Sequence, residues 1–238
     1  MRCITSFNIY IYIIMTKCIY YMWNFKPLEK NPFFINNKDI IINNSKYIKE
    51  YQLIEPSYFN ELYDNITYKF SLFPKLHKLY NMIPNWISKT DLGRLLIVYY
   101  NSGIYCDVDC SIKKNFEKYD KDYNVILFTE YICKSVDWLG PRECKNPANK
   151  VRIANYFFYS KIKNHPFFKE VIDECLKRLE LIIITENKKQ LSNLDILWCC
   201  GPDVITTIYH STKNKYKDIY LCDESFLNHT ENNSWKVS

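Results

Sequence analysis

Glycine is nearly absent from this chain, with only Gly93, Gly103, Gly140 and Gly201 in 238 residues. Phosphate-cradling loops and dinucleotide-binding turns need clustered glycines where the backbone approaches a phosphate, so kinases, P-loop NTPases and dinucleotide-dependent oxidoreductases are disfavoured. Arginine is also scarce, at positions 2, 94, 142, 152 and 178 only. The formal charge of +6 therefore rests on lysine, and the 32 basic and 26 acidic residues are interspersed instead of forming a basic block. That pattern argues against a nucleic-acid surface. The excess of Lys, Asn, Ile and Tyr reads as codon usage of an AT-rich genome, which discounts surface Lys and Asn as functional signals. No Cys-x-x-Cys pair and no Cys/His ladder with zinc spacing occurs among the ten cysteines, so a reduced, cytoplasmic chain is the plainer reading. Long apolar runs are missing too. The stretch from Cys3 to Thr16 is uncharged, but it is shorter than the roughly 20 residues of a spanning helix, so no firm membrane segment is expected. A short N-terminal anchor stays open at this point.

What is present is ample core material, 47% hydrophobic and 17% aromatic, without repeats or a low-complexity linker. One domain over residues 1–238 is expected, with residues 1–14 as an apolar N-terminal extension. The pattern predicts a strand at 16–23, helices at 57–65, 75–82 and 88–101, and strands at 104–110, 124–129 and 153–159. Helices at 166–183 and 202–212 and a strand at 217–222 follow. In the helix at 88–101, Leu92, Leu95, Leu96 and Tyr99 recur at helical spacing as a core stripe, and Asn101-Ser102-Gly103 supplies its stop. This order predicts an α/β fold with a mainly parallel sheet flanked by helices.

The chemistry concentrates at Ile104-Tyr105-Cys106-Asp107-Val108-Asp109. Read as a strand, it puts Asp107 and Asp109 on one face, where two carboxylates can share a hard divalent cation whose remaining positions go to phosphate and water. Seen alone, an Asp-x-Asp pair more often lines a solvated strand end. Upstream, Asp91 and Arg94 share one helix face, away from the leucines. They too have a plainer reading, with Ser88-Lys89-Thr90-Asp91 as a capping box and Arg94 as a solvated cation.

The block from Ile83-Pro84 to Asp109 resembles the DXD-containing sugar transferases, a family that includes fungal Golgi mannosyltransferases, capsular polysaccharide transferases and glucosylating bacterial toxins. The likeness is carried by Asp91-Leu92-Gly93-Arg94 and by Tyr99-Tyr100-Asn101-Ser102-Gly103-Ile104-Tyr105-Cys106-Asp107-Val108-Asp109. Thr16 to Trp23 is similar to the family's opening strand, although its Pro and His-Gln pair are missing. Asn155 to Ser160, His165-Pro166, Cys200-Gly201-Pro202, and His229 with Ser234-Trp235 resemble later family segments in the same order.

This resemblance implies a Rossmann-like GT-A glycosyltransferase fold and a retaining transfer from a UDP- or GDP-sugar, with Mn²⁺ or Mg²⁺ as cofactor. The acceptor class stays open among a glycan, a small molecule and a protein. Residue by residue it implies that Asp109 binds metal, that Asp107 reaches metal through water or contacts the ribose, and that Asp91 and Arg94 hold sugar and diphosphate. Tyr105 would pack beside the donor and Trp23 would stack on the base. His229, Asn233 or Ser234 would complete the metal shell, and Ser234 and Trp235 would belong to a lid over residues 226–238. His165 is expected to cap a helix, His77 and His210 to be structural, and the Cys106/Cys110 and Cys199/Cys200 thiols to be buried. Two rival readings are a degenerate transferase kept as a binding module and a basic, tyrosine-rich nucleic-acid binder.

Overall fold

The structure is a computed structural model that describes residues 18–22, 33–55, 57, 61, 73–133 and 150–230, with the backbone alone for 33–38. Trp23, Trp138, Asn233, Ser234 and Trp235, the N-terminal extension and most of the helix expected at 57–65 lie outside the described residues.

The strands are β1 (Cys18–Met22), β2 (Glu50–Ile54), β3 (Gly103–Cys106), β4 (Cys110–Ile112), β5 (Val125–Ile132), β6 (Val151–Ile153), β7 (Phe157–Ser160), β8 (Ile219–Cys222) and β9 (Leu227–His229). The α-helices are α1 (Phe33–Asn44), α2 (Pro74–Tyr80), α3 (Trp86–Asn101), α4 (Pro166–Glu180), α5 (Asn193–Cys199) and α6 (Pro202–Thr212). Seven strands form one mixed sheet in the order β2-β1-β3-β7-β5-β6, with β8 also on β5, while β4 and β9 make a separate antiparallel ribbon. Parallel pairs join β1 to β2 and β3, and β5 to β8. Within the sheet, the antiparallel pairs all involve β6 or β7.

Both faces of the inner strands β1, β3, β5 and β7 are largely buried, which is why these strands read as nearly continuous apolar runs. Alternate residues feed two cores. Tyr20, Tyr105, Val125, Leu127 and Phe158 pack with Leu92, Leu96, Phe168 and Val204 from the helices. Ile19, Tyr21, Ile104, Cys106, Ile126, Phe128 and Phe157 pack with Phe116 and Leu227 on the other side.

Helix α3 runs through the first of these cores. It starts at Trp86, two residues earlier than the apolar spacing suggests, because the Asn85 side chain caps it by accepting from the Ser88 amide at 3.0 Å. Ser88 therefore lies inside the first turn and is not a cap. The predicted stripe of Leu92, Leu95, Leu96 and Tyr99 is buried, but so are Asp91, Gly93, Arg94, Ile97 and Val98. With no solvated face at this level, Arg94 is not the exposed cation of the plainer reading. The helix leaves through Ser102 at φ 61° and Gly103 at φ 96°. A Cβ on Gly103 would lie 2.8 Å from the Cys18 carbonyl oxygen and 2.8 Å from the Tyr20 ring, so only glycine turns α3 into β3 this close to β1.

Three other sequence expectations change. The run at 104–110 is not one strand: β3 ends at Cys106, and a turn closed by Cys110 N–H donating to the Asp107 carbonyl at 3.0 Å separates it from β4. The run at 153–159 breaks into β6 and β7. The helix predicted to 183 ends as α at Glu180 and continues as a π-helical turn over Leu181–Thr185. His165 caps α4 as expected, its Nδ1 accepting from the Phe167 amide at 3.2 Å. All eight cysteines among the described residues are free, and Cys106, Cys110, Cys199 and Cys200 are buried. No helix among the described residues is long and apolar enough to cross a membrane.

Candidate active site

The break between β6 and β7 builds the site. Its residues pass from the β5 ladder, where the Ala154 amide donates to the Phe128 carbonyl at 2.8 Å, to the β3 ladder, and present the next two carbonyls to α3 and the β3–β4 turn. The Asn155 carbonyl accepts from Arg94 Nη1 at 2.9 Å, and the Tyr156 carbonyl accepts from the Asp107 amide at 2.8 Å. The second contact carries the β3–β7 register one pair beyond Cys106 and Phe157, and there the strand ends. Asp107 and Asp109 thus stand on the turn closed by the Cys110 amide and the Asp107 carbonyl, not on a strand face.

Arg94 ties the carboxylates together. Its Nη2 lies 2.7 Å from Asp91 Oδ1 and its Nη1 lies 3.4 Å from Asp107 Oδ1. Its guanidinium sits 4.7 Å from the centre of the Tyr105 ring, which in turn stacks on Phe158 at 5.5 Å. The Tyr105 hydroxyl donates to Asp107 Oδ1. Asp91 and Arg94 are almost completely buried, whereas the Asp107 side chain keeps 24% of its exposure. Burial pushes the Asp91 carboxyl up to about 7, opposed by Arg94 and reinforced by Asp107. Burial also raises the Asp107 carboxyl, again against Arg94 and with Asp109. For Arg94, burial disfavours the charge, but Asp107, Tyr105 and Asp91 outweigh it and hold the guanidinium firmly protonated.

On the open side of the turn, His229 Nε2 lies 3.2 Å from Asp109 Oδ1. Strand β9 delivers this histidine by pairing with β4, Cys110 opposite His229, and the Thr230 amide donates to the Asp109 carbonyl at 3.2 Å. The imidazole also stacks on Tyr156. Burial opposes its protonation, but Asp109 raises its pKa overall. One ligand atom each from Asp107, Asp109 and His229 falls within a 4.8 Å group, the three residues being partly exposed. Two carboxylate oxygens and an imidazole nitrogen, with an opening to solvent, form a donor set suited to a divalent ion such as Mn²⁺ that keeps further positions for phosphate or water.

Asp91, Arg94, Tyr105, Asp107, Asp109 and His229 are therefore brought together. Of the segment expected as a lid, Phe226 and Leu227 are buried and Leu227–His229 is a strand, so its described part is held on the core and the rest lies outside the described residues.

The sequence stretch at residues 12–133, more than half of the chain, matches the family described as the glycosyltransferase sugar-binding region containing the DXD motif. The chain belongs to this family of glycosyltransferases. Within the matched region, Asp107-Val108-Asp109 stands as the Asp-x-Asp motif. Among solved structures, the chain is similar to the PaToxG glycosyltransferase at 18% identity, with 82% of this chain and 69% of that one covered and a TM-score of 0.48. It is also similar to mouse xyloside xylosyltransferase 1 in its apo form, at 10% identity, 92% and 98% coverage and a TM-score of 0.47. A comparison with curated proteins returns no match.

Residues that the sequence did not single out also build this glycosyltransferase site. Asn44, fully buried at the end of α1, donates to the Cys110 carbonyl at 2.9 Å and to the Tyr21 hydroxyl at 3.0 Å, and accepts from the Ile112 amide at 2.8 Å. It fixes β4 behind the Asp-x-Asp turn. In so Asn-rich a chain no composition signal distinguishes it. Tyr156 and Asn155 act largely through their carbonyls, which no side-chain pattern reports.

Proposed function

We propose that this glycosyltransferase moves a hexose or related sugar from a UDP- or GDP-sugar to a hydroxyl acceptor, with one Mn²⁺ or Mg²⁺ held by Asp107, Asp109 and His229. The reading is carried by one observation, the gathering of those three ligand groups beside a buried Arg94 that already leans on Asp107. When bound, the ion neutralises charge on the nucleoside diphosphate as it leaves.

The chain's own residues supply the rest. Asp91 on Nη2 and the Asn155 carbonyl on Nη1 hold the Arg94 guanidinium in place, so its charge is available to the diphosphate without reorganisation during transfer. The Tyr105 hydroxyl and the Tyr156 carbonyl fix the Asp107 side chain and amide, respectively. Asp91 stabilises positive character on the sugar as the bond to phosphate lengthens, in keeping with the role the resemblance implies. Retention of configuration is likewise the course the resemblance implies. Asn233, Ser234 and Trp235 are proposed to join from the C-terminal segment, and Trp23 to stack on the base.

The test is a panel of UDP- and GDP-sugars with Mn²⁺, scored for released nucleoside diphosphate. Release from one donor class supports the reading. Tight nucleotide binding with no release supports a binding module that has lost turnover, and no binding of either nucleotide contradicts the donor assignment.

A further inference from the structure

The Asp-x-Asp turn rests on a buried polar floor. Asn44 at the end of α1 and Tyr21 in β1 are fully buried, and so are Cys106 and Cys110, the residues on either side of Asp107-Val108-Asp109. Asn44 Nδ2 donates to the Cys110 carbonyl at 2.9 Å and to the Tyr21 hydroxyl at 3.0 Å, and it lies 3.7 Å from Cys106 Sγ. The Tyr21 hydroxyl donates in turn to the Cys106 sulfur. Asn44 Oδ1 accepts the Ile112 amide at 2.8 Å. Both ends of the turn are therefore tied to one pair of side chains, and β4 is tied with them.

The metal ligands hang from these tied points. Asp107 follows Cys106, Asp109 precedes Cys110, and His229 stands opposite Cys110 in the β4–β9 ribbon. The turn is closed by the Cys110 amide donating to the Asp107 carbonyl at 3.0 Å. Its two carboxylates repel each other, with Asp107 drawn towards Arg94 and Asp109 towards His229, so the electrostatics of the empty site favour spreading. The floor opposes that spreading. A buried polar network gains little net stability over apolar side chains of the same shape, because its groups give up water to enter it, and what it adds is a fixed arrangement.

We infer that Tyr21 and Asn44 are positioning residues of the metal centre, holding both ends of the Asp-x-Asp turn so that Asp107, Asp109 and His229 meet the ion without rearrangement and bind it more tightly. Both side chains are closed off from solvent, so they act through Cys106 and Cys110 and not on the ion itself. The inference deepens the proposed metal site and rests on it.

The experiment compares wild type, Tyr21→Phe and Asn44→Ala, with Asp195→Ala in α5 as a variant destabilised outside the site. Mn²⁺ uptake in the presence of UDP or GDP is measured by electron paramagnetic resonance, and release of nucleoside diphosphate is followed across Mn²⁺ concentrations, all well below each Tm. Asn44→Ala should weaken Mn²⁺ binding by about tenfold, the scale for groups that support metal ligands, and Tyr21→Phe by about threefold, since Asn44 keeps its bonds to β4. The Mn²⁺ concentration for half-maximal rate should rise by the same factors, while kcat at saturating Mn²⁺ stays within about threefold of wild type. A purely structural role gives the opposite split, a lower kcat at every Mn²⁺ concentration with unchanged affinity, and Asp195→Ala should show no change in Mn²⁺ affinity. If Asn44→Ala does not fold, Tyr21→Phe, which loses one hydroxyl only, decides alone. Wild-type Mn²⁺ affinity in a folded variant overturns the inference for that residue. Wild type that takes up no Mn²⁺ with either nucleotide overturns the metal site, and the inference falls with it.

Discussion

The imidazole of His229 lies flat on the phenol ring of Tyr156, with 4.1 Å between centroids and 12° between planes. The same Tyr156 accepts the Asp107 amide through its carbonyl at 2.8 Å, so one residue sets the positions of two of the three proposed metal ligands. Its carbonyl survives any substitution, and its ring does not. Tyr156→Ala should therefore weaken Mn²⁺ binding by about tenfold, as losses of supporting groups around metal ligands do, while Tyr156→Phe should bind nearly as wild type. Calorimetric titration checks this, and equal affinities for all three proteins would contradict it.

Arg94 should not be replaceable by lysine. Its guanidinium reaches Asp91, Asp107 and the Asn155 carbonyl at once, whereas an ammonium is a single point charge. Arg94→Lys should lower kcat by about a hundredfold, the scale of a lost electrostatic group in the transition state. Steady-state kinetics at saturating donor decides it, with kcat within a few-fold of wild type as the contrary result.

Asn44 makes a stability prediction that local sequence could not. Asn44→Leu keeps the side chain's size but leaves the Cys110 carbonyl and the Ile112 amide without the partners they now have. The loss should be about 2 to 4 kcal/mol, each unsatisfied buried group costing about 1 to 3 kcal/mol. Urea unfolding measures it. The partly exposed neighbour Ser45→Ala serves as a control and should change stability by no more than about 0.5 kcal/mol.

Asp195 gives the pH dependence. Its carboxylate closes the capping box of α5 with Ser192 and accepts Lys188 Nζ at 2.9 Å on both oxygens. Burial opposes the charge, but these partners hold its pKa below the ordinary carboxylate value. The folded protein therefore keeps Asp195 ionised to lower pH than the unfolded chain does. The resulting stability is fully present above about pH 4, the unfolded value, and is lost as pH falls through the folded one. Asp195→Ala should cost about 1 to 2 kcal/mol at neutral pH, and its stability should fall less steeply than that of wild type below about pH 4. Parallel unfolding curves across that range would contradict the assignment.

Much of this arrangement could be read from the sequence because it is written in short spacings. Asp91 and Arg94 share a helix face, Gly103 ends the helix, and Asp107 and Asp109 follow within one turn. The meeting of His229 with Asp109 was readable only through the family resemblance, since the ribbon that joins them pairs residues 119 positions apart, Cys110 with His229. Where long-range backbone contacts decide, local pattern misleads. The turn from Asp107 to Cys110 hands the chain from β3 in the sheet to β4 on its ribbon with β9, which splits one predicted strand, and the passage from the β5 ladder to the β3 ladder divides another into β6 and β7. Glu130 and Arg152 look like ordinary surface charges in a chain with 24% charged residues, and their ion pair at 2.8 Å comes from the long-range pairing of β5 with β6.

The central claim is that Asp107, Asp109 and His229 hold one divalent ion for the donor diphosphate. Electron paramagnetic resonance of Mn²⁺ tests it directly, because the six-line signal of the free ion falls as the ion binds. In the presence of UDP or GDP, wild type should take up one Mn²⁺, while Asp107→Asn, Asp109→Asn and His229→Ala should each weaken uptake by about tenfold or more while the proteins stay folded by circular dichroism. Undiminished uptake by all three variants would place the ion elsewhere and contradict the account.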